Sequence, residues 1–320
     1  MTTTLRFATA AILAATLGTA QAAWPDKPVK LVVPYAAGGA ADALARVVAT
    51  ELGTRLGQPV IIDNKPGGGG TIGAQAVAQA APDGYTFLYD ATSFTVNPSL
   101  FPKLAFDYAK DFAPVGMVAR IPTLLVVPAG SKINSVADLV STARANPGKV
   151  NYASAGSGGA AHLSAELFAQ GFKISLTHIP YKGGAPALTD LVGGQVDMMF
   201  SAITASGAMV KGGKLKAIAT AYDKRIDALP GVPTVAESGL PGFSAYEWNA
   251  VWAPARTPAD IVKRMDTELR AALEQPALRA RFAELGALPA AEGAQQLGDF
   301  VKAETAKWSA VVKTARIKVD

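Results

Sequence analysis

V-K-L-V-V-P-Y-A-A-G-G-A-A-D, residues 29–42, carries a strand, a turn and the start of a helix in one short run. Val29–Pro34 is apolar and rich in valine, as a buried strand requires. After Tyr35, Ala36–Gly39 is built of small residues. From Ala40 the pattern changes: Leu44, Val47, Val48, Leu52 and Leu56 recur at spacings of three and four, which predicts a helix over 40–56. The rhythm then repeats. Val60–Asp63 reads as a strand, and Ile72–Ala81 as a small-residue helix stopped by Pro82-Asp83-Gly84. Tyr85–Tyr89 reads as a third strand. Strands alternating with helices form βαβ units and a mainly parallel, buried sheet.

The alternation restarts further on. Leu124–Val127 is a predicted strand. Ser135–Ala145 is a helix with Ser135 as N-cap, ended by Asn146-Pro147-Gly148. Val150–Ala153 is a strand and Ala160–Gln170 a helix, followed by Ser175–His178, Ala185–Val192, Met198–Phe200 and Lys216–Thr220 in the same manner. Prolines and glycines at 230–233 and 241–242 break the pattern. After Val251–Ala253 the tail is helical over Pro258–Leu273, Pro276–Leu285 and Gln296–Thr314, with Thr257 and Pro258 as an N-cap and N1 pair. Such a tail has too few strands for a lobe of its own, so it is expected to pack on the first. The fold class expected is α/β: two lobes, each a mixed or parallel sheet flanked by helices, with a ligand cleft between them. Lobe 1 is expected over residues 23–122 plus 248–320 and lobe 2 over 123–247. The chain then crosses twice, near 120–125 and 243–250, to make a hinge. Ligands of open α/β sheets sit at the carboxyl ends of the strands, so two facing lobes make the cleft of a type II-like periplasmic binding protein.

The amino terminus and the composition limit the compartment. Residues 1–22 hold one cation, Arg6, then an uncharged run from Phe7 rich in Ala, Leu and Ile, with Ala20 and Ala22 at the spacing of a cleavage site. This predicts a secretory signal peptide and a mature chain starting at Ala23. The chain has no cysteine. An exported protein of this kind relies on an ordinary core rather than disulfides, and it has no acceptor for a lipid anchor. The expected location is therefore the periplasm, in soluble and untethered form. The net charge of +5 is spread along the chain, which predicts no nucleic-acid partner.

Three glycine-rich turns carry the functional argument. Pro34–Asp42 follows a strand and opens a helix. Small residues let the backbone approach a ligand, and the first-turn amides with the helix dipole favour an anion. Ala153–His162 (A-S-A-G-S-G-G-A-A-H) repeats this logic in the other lobe, with Ser154 and Ser157 adding hydroxyls. Two such helix starts suit the two ends of a dicarboxylate. The third turn, Gly67–Gly73, matches G-x-G-x-x-G over 68–73, with Asp90 about 20 residues on, which is the dinucleotide-binding pattern. Asn64-Lys65-Pro66 separates these glycines from the strand, and no acid–base residue accompanies them, so a turn supporting the cleft is the better reading. Catalytic constellations are thin: there is no Cys, no G-x-S-x-G, and the two histidines, His162 and His178, have no metal-ligand spacing. His178 reads as packing, and His162 as facing the cleft. No catalytic residue, cofactor or metal is expected.

Ordered motifs along the whole chain resemble the tripartite tricarboxylate transporter substrate-binding receptors, the Bug family. They include W-P-D-K-P at 24–28, V-P-Y-A-A-G-G-A-A-D at 33–42 and N-K-P-G-G-G-G at 64–70. A-P-D-G-Y-T at 81–86, N-P-S-L at 97–100 and N-P-G-K-V-N-Y-A-S-A-G-S-G-G-A-A-H-L at 146–163 follow, then A-L-T-D-L-V-G-G-Q-V-D at 187–197 and L-P-G-V-P-T-V-A-E at 229–237. The resemblance implies a binding protein without catalysis that captures a small organic carboxylate, a di- or tricarboxylate or an aromatic acid. It also implies a membrane permease as partner and, with no sign of assembly, a monomer. By position it implies ligand contacts from Tyr35, Ala37, Gly38, Gly39 and Asp42, and from Thr92, Ser93 and Asn97. In the other lobe it implies Ser154, Ser157, Gly158, Gly159, Ala160 and His162, with Ser201 and Thr204. Many relatives have Asp where this chain has Ser201, which points to a ligand without an amine. Two other functions are carried alongside: an exported nicotinamide-dependent oxidoreductase using residues 68–73, and a receptor reporting ligand to a membrane sensor.

Overall fold

The computed structural model describes residues 24–319; the expected signal peptide and the start of the mature chain at Ala23 lie outside the described residues. Two mixed sheets organise them. The first has six strands in the order β11-β4-β10-β3-β1-β2. Here β1 is Val29–Val33, β2 Val60–Asn64, β3 Thr86–Ala91, β4 Phe112–Ile121, β10 Glu247–Pro254 and β11 Leu288–Pro289. The second has five in the order β7-β6-β8-β5-β9, with β5 at Thr123–Pro128, β6 at Asn151–Ser154, β7 at Thr177–Pro180, β8 at Met198–Ala202 and β9 at Leu215–Thr220. In each sheet the βαβ strands run parallel, β1 with β2 and β3, and β6 with β7 and β8. The strands that carry the chain between sheets run antiparallel to their neighbours.

The helices follow from their apolar spacing. Helix α1 (Ala40–Leu56) turns Leu44, Ala45, Val48, Leu52 and Leu56 inward and ends at Gly57, whose φ of 70° is the left-handed stop that glycine adopts without strain. Helix α2 is Thr71–Ala78, and α3 is Ser93–Leu100. In α4 (Val136–Ala145) the expected N-cap is present: Ser135 accepts the amide of Asp138. Helices α5 (Ala160–Phe172), α6 (Gly184–Val192) and α7 (Ile203–Lys211) dress the second sheet. In the tail, α8 (Ala259–Leu273) starts one residue later than expected. Pro258 stands at the cap position with φ −51° and ψ 137°, and the buried Thr257 hydroxyl has no partner. Thr257 is therefore not the cap.

Two elements have no clear sequence signal. Strand β4 is punctuated by Pro114 and Gly116, yet it pairs with β10 through two register shifts that absorb the irregularity. A side chain at Gly116 would lie 3.1 Å from Leu269 Cδ2 and 3.2 Å from the Glu292 carbonyl, so glycine suits the close approach of α8 there. Helix α3 holds Asn97 and Pro98 and has no amphipathic period; tertiary contacts hold it. Phe94 stacks on Trp252 with centroids 4.1 Å apart, and Asn97 Nδ2 donates to the Gly69 carbonyl at 3.0 Å.

Helices α8 and α9 (Pro276–Glu284) bring Met265, Leu269, Leu273, Leu278 and Phe282 into the core formed by β1, β3, β4 and α1. The last helix, α10 (Ala294–Ala315), joins both cores. Its Leu297 packs with Leu88, Trp248 and Trp252 on the first sheet, while Trp308, Val311 and Val312 pack with Leu125, Tyr152, Phe168 and Phe200 on the second. The two crossings meet at one side-chain cluster: Arg120 Nε donates to Tyr246 Oη at 3.1 Å and Arg120 Nη2 to Glu292 Oε2 at 2.7 Å. Sheet membership supports placing lobe 1 at 23–122 plus 248–320 and lobe 2 at 123–247, a division we propose, with α10 as the strap between them.

Trp308 is 1 % exposed and its Nε1 donates to Glu304 Oε2 at 2.8 Å. Trp308→Ala is expected to cost about 3–5 kcal/mol in unfolding free energy, measured by chemical denaturation; an unchanged midpoint contradicts the strap.

Candidate ligand site

The two loops expected to hold an anion have the same construction. Each reads G-G-A-A followed by a polar residue: Asp42 in the first lobe, His162 in the second. Gly38 and Gly158 have φ of +83° and +77°, a left-handed backbone that a bulkier residue enters only under strain. Gly39 and Gly159 then cap α1 and α5 with φ and ψ of −76°, 168° and −75°, 168°, and no side chain closes either helix start. Each loop is locked from four residues ahead. The Gly38 amide donates to Asp42 Oδ2 at 2.9 Å, and the Gly158 amide to His162 Nδ1 at 3.0 Å. Ala37, Gly38, Gly39 and Ala40 are exposed, as are Ser157 and Gly159. Open first-turn amides at the positive end of a helix form an anion site.

The two locks differ in charge. Burial acts to raise the Asp42 carboxyl, but donors from Arg46, Gly38 and Asn64 outweigh it and hold it at about 2. Arg46 Nε and Asn64 Nδ2 each donate to it at 2.9 Å, and Asn64 also donates to the Tyr35 carbonyl at 3.1 Å. In the second lobe burial, with His178 alongside, pushes the His162 imidazole down to about 4. It is therefore neutral at neutral pH, and because Nδ1 accepts from Gly158, its proton lies on Nε2. His178 is not simple packing: its ring stacks on His162 with centroids 3.8 Å apart, and its Nε2 lies 2.6 Å from Ser154 Oγ. Ser154 is itself buried in the loop, bonded to the Gly156 carbonyl at 3.0 Å. Both histidines thus brace the loop. Among the described residues no cluster of His, Asp and Glu has the arrangement of a metal site.

The floor of the first lobe holds a residue the motifs did not single out for ligand. Asp90 Oδ1 accepts from Tyr35 Oη, Ser93 Oγ and the Ala91 amide, each at 2.7 Å. Asp90 is fully buried, and burial pushes its carboxyl up to about 6 despite these donors. Its Oδ2 has no partner, and neither does the buried Thr92 hydroxyl two residues on. The signal available in sequence is an acid closing the apolar run F-L-Y-D at 87–90.

The third glycine turn is internal support. Gly68–Gly70 forms a 3-10 turn whose Gly68 carbonyl accepts Thr71 Oγ1 at 2.8 Å. Asn97 is buried beneath it, its amide committed to Gly69 and to Tyr108 Oη at 3.0 Å. A side chain at Gly73 would lie 2.6 Å from Pro34 Cβ, so this glycine sets close packing of α2 on β1. Asp90, the acid a dinucleotide ribose would need, is enclosed by Tyr35 and Ser93.

Loops of the two lobes approach each other at two places. A groove of about 510 Å³ is lined by Gly38, Gly39 and Ala40, by Thr204 and Lys211 of α7, and by Gly286. A side chain at Gly158 would lie 2.6 Å from Leu100 Cδ1 of α3 and 2.9 Å from Val319 Cγ1. Ser201 is buried at the end of β8, with a long 3.4 Å bond to the Ala202 carbonyl.

The Asp90 environment has a measurable consequence. A carboxyl held at about 6, above its ordinary 3.8, is protonated more readily in the folded chain than in the unfolded one. The penalty for ionising it is absent well below pH 3.8, grows between pH 4 and pH 6 and levels off at about 3 kcal/mol above that. The stability of Asp90→Asn relative to the unaltered protein should therefore rise by that order between pH 4 and pH 7.5, followed by denaturation at each pH. A constant difference contradicts this environment.

The family model described as "Tripartite tricarboxylate transporter family receptor" matches residues 44–317. Among solved structures, R. palustris Rpa4515 with adipate superposes with a TM-score of 0.81 at 38% identity, over 92% of this chain and 99% of that one. The periplasmic binding protein BugD superposes with a TM-score of 0.77 at 36% identity, over 92% and 99%. MatC (Rpa3494) from Rhodopseudomonas palustris with bound malate gives 0.76 at 36% identity, over 90% and 100%. The mixed sheets, the paired helix starts and these matches agree: the chain belongs to the tripartite tricarboxylate transporter receptor family, whose members are solute-binding proteins and not enzymes.

Proposed function

We propose that this protein is a periplasmic receptor that captures a small organic carboxylate between its lobes and delivers it to a tripartite tricarboxylate-type permease. The observation that carries the reading is the pair of uncapped helix starts, at Gly39 and Gly159, each with its loop locked by a residue four ahead. Neither helix has a side-chain acceptor for its first amides, which is the arrangement an anion completes. The adipate of Rpa4515 and the malate of MatC, both dicarboxylates, support the same ligand class here. The proposed contacts are the loops from Tyr35 to Asp42 and from Ser154 to His162, with Thr92 and Ser93 on the floor and Ser201 and Thr204 closing one side. Asn97 belongs behind them, as support for the glycine turn. No helix among the described residues is long and apolar enough to cross a membrane; the family description, a transporter family receptor, supports a membrane permease as the partner in delivery.

Titration calorimetry with four- to six-carbon dicarboxylates should show saturable binding of at least one, with a raised melting temperature and no turnover. Gly39→Leu should remove that binding and leave the circular dichroism unchanged. Gly39 has ordinary backbone angles, and the one atom within 4 Å of an added Cβ is the Ala36 carbonyl oxygen at 3.3 Å. Unchanged affinity in this variant removes the first loop from the site.

A further inference from the structure

We infer that Asp90 is a specificity-determining residue, and that the receptor selects carboxylates bearing a hydrogen-bond donor, a hydroxyl or ammonium, next to the carboxylate that the first loop holds. The inference rests on the carboxylate-receptor reading above and adds the ligand's substituent to it. Asp90 is at the carboxyl end of β3, the end of an α/β sheet where ligands sit. Three donors converge on Oδ1 and fix the plane of the carboxyl group. The other oxygen, Oδ2, is buried and has none. No cation pairs with Asp90 among the described residues, although a buried carboxylate is costly until it is paired and hydrogen-bonded. One of the donors that orients it, Tyr35, belongs to the anion-holding loop itself, which couples Asp90 directly to that loop.

A bare carboxylate in that position repels an unsubstituted acid and attracts one whose adjacent carbon carries O–H or N–H. The unpartnered Thr92 hydroxyl, buried on the same strand end, adds a second polar group there. Trp248 Nε1, a donor on the same sheet face, is also unpartnered and makes no bond to Asp90. Ser201 on its own points to a ligand without an amine; Asp90 supplies an acid from the opposite lobe.

The test is calorimetry on the intact mature protein at pH 7.5 with matched acids: succinate, malate and aspartate, then glutarate, 2-hydroxyglutarate and glutamate. Within a chain length that binds, the substituted acids should bind at least about tenfold more tightly than the plain one, the scale of a hydrogen bond to a charged group. Asp90→Asn, shown folded by its melting curve, should bring that ratio to within about twofold. Preference for the amino acid identifies an ammonium, and preference for the hydroxy acid a hydroxyl; either supports the inference. A plain acid that binds as tightly as its substituted partners overturns it while leaving the carboxylate reading intact. Failure of every acid in the panel overturns both.

Discussion

The structure depends on two helices that begin without a side-chain cap. An exposed helix start with glycine at the cap position leaves its first amides without a side-chain acceptor, and the surrounding sequence is arranged to keep them so. Gly38 and Gly158 take left-handed angles that turn the chain into the helix. Asp42 and His162 reach back to hold those glycines, using acceptors that would otherwise compete for the same amides. In the first lobe the lock is an anion, and Arg46 and Asn64 neutralise or satisfy it. In the second it is a neutral imidazole, kept neutral by burial and by its stacked neighbour. Both arrangements present the positive end of a helix without an opposing net charge beside it.

For the two loops to act on one ligand, as proposed, the lobes must stay in register. The chain crosses between sheets twice, and Arg120, at the first crossing, donates to Tyr246 at the second and to Glu292. Helix α10 adds a third tie, with Leu297 in one core and Trp308 in the other. The lobes meet through glycine at Gly158 against Leu100, and at Gly286, where an added Cβ would lie 3.3 Å from Thr204 Cγ2. Small residues at both points let the walls come close to whatever lies between them.

Much of this was legible from spacing alone. The βα units around β1 and β6 follow from valine-rich runs, glycine turns and three-four periodicity, and the Ser135 cap from its place before a helical run. What was not legible depended on partners distant in sequence. Strand β4 contains Pro114 and Gly116, which deny a strand locally and are admitted by bulges in β4 itself, at Val115 and Val118, and by packing of Leu269 against Gly116. Helix α3 has no period because aromatic stacking and the Asn97 amide, rather than an apolar stripe, hold it. His178 looked like packing because its role is set by Ser154, which only the β6–β7 pairing brings near.

Asp90 shows why a site can be hidden and yet be visible in retrospect. An acid at the end of a buried strand breaks the rule that sequence and fold agree at each level, and such breaks are expected where function needs them. Tyr35, Ser93 and the Ala91 amide satisfy half of the carboxyl group and leave the other half unpaired. If stability were the only constraint, asparagine or a well-packed apolar residue would serve better at neutral pH. On the inference drawn above, a ligand donor reaching this oxygen removes that cost, so affinity and selectivity draw on the same unpaired oxygen. On the function proposed above, the glycine loops attract a small carboxylate and Asp90 supplies the means to distinguish one from another.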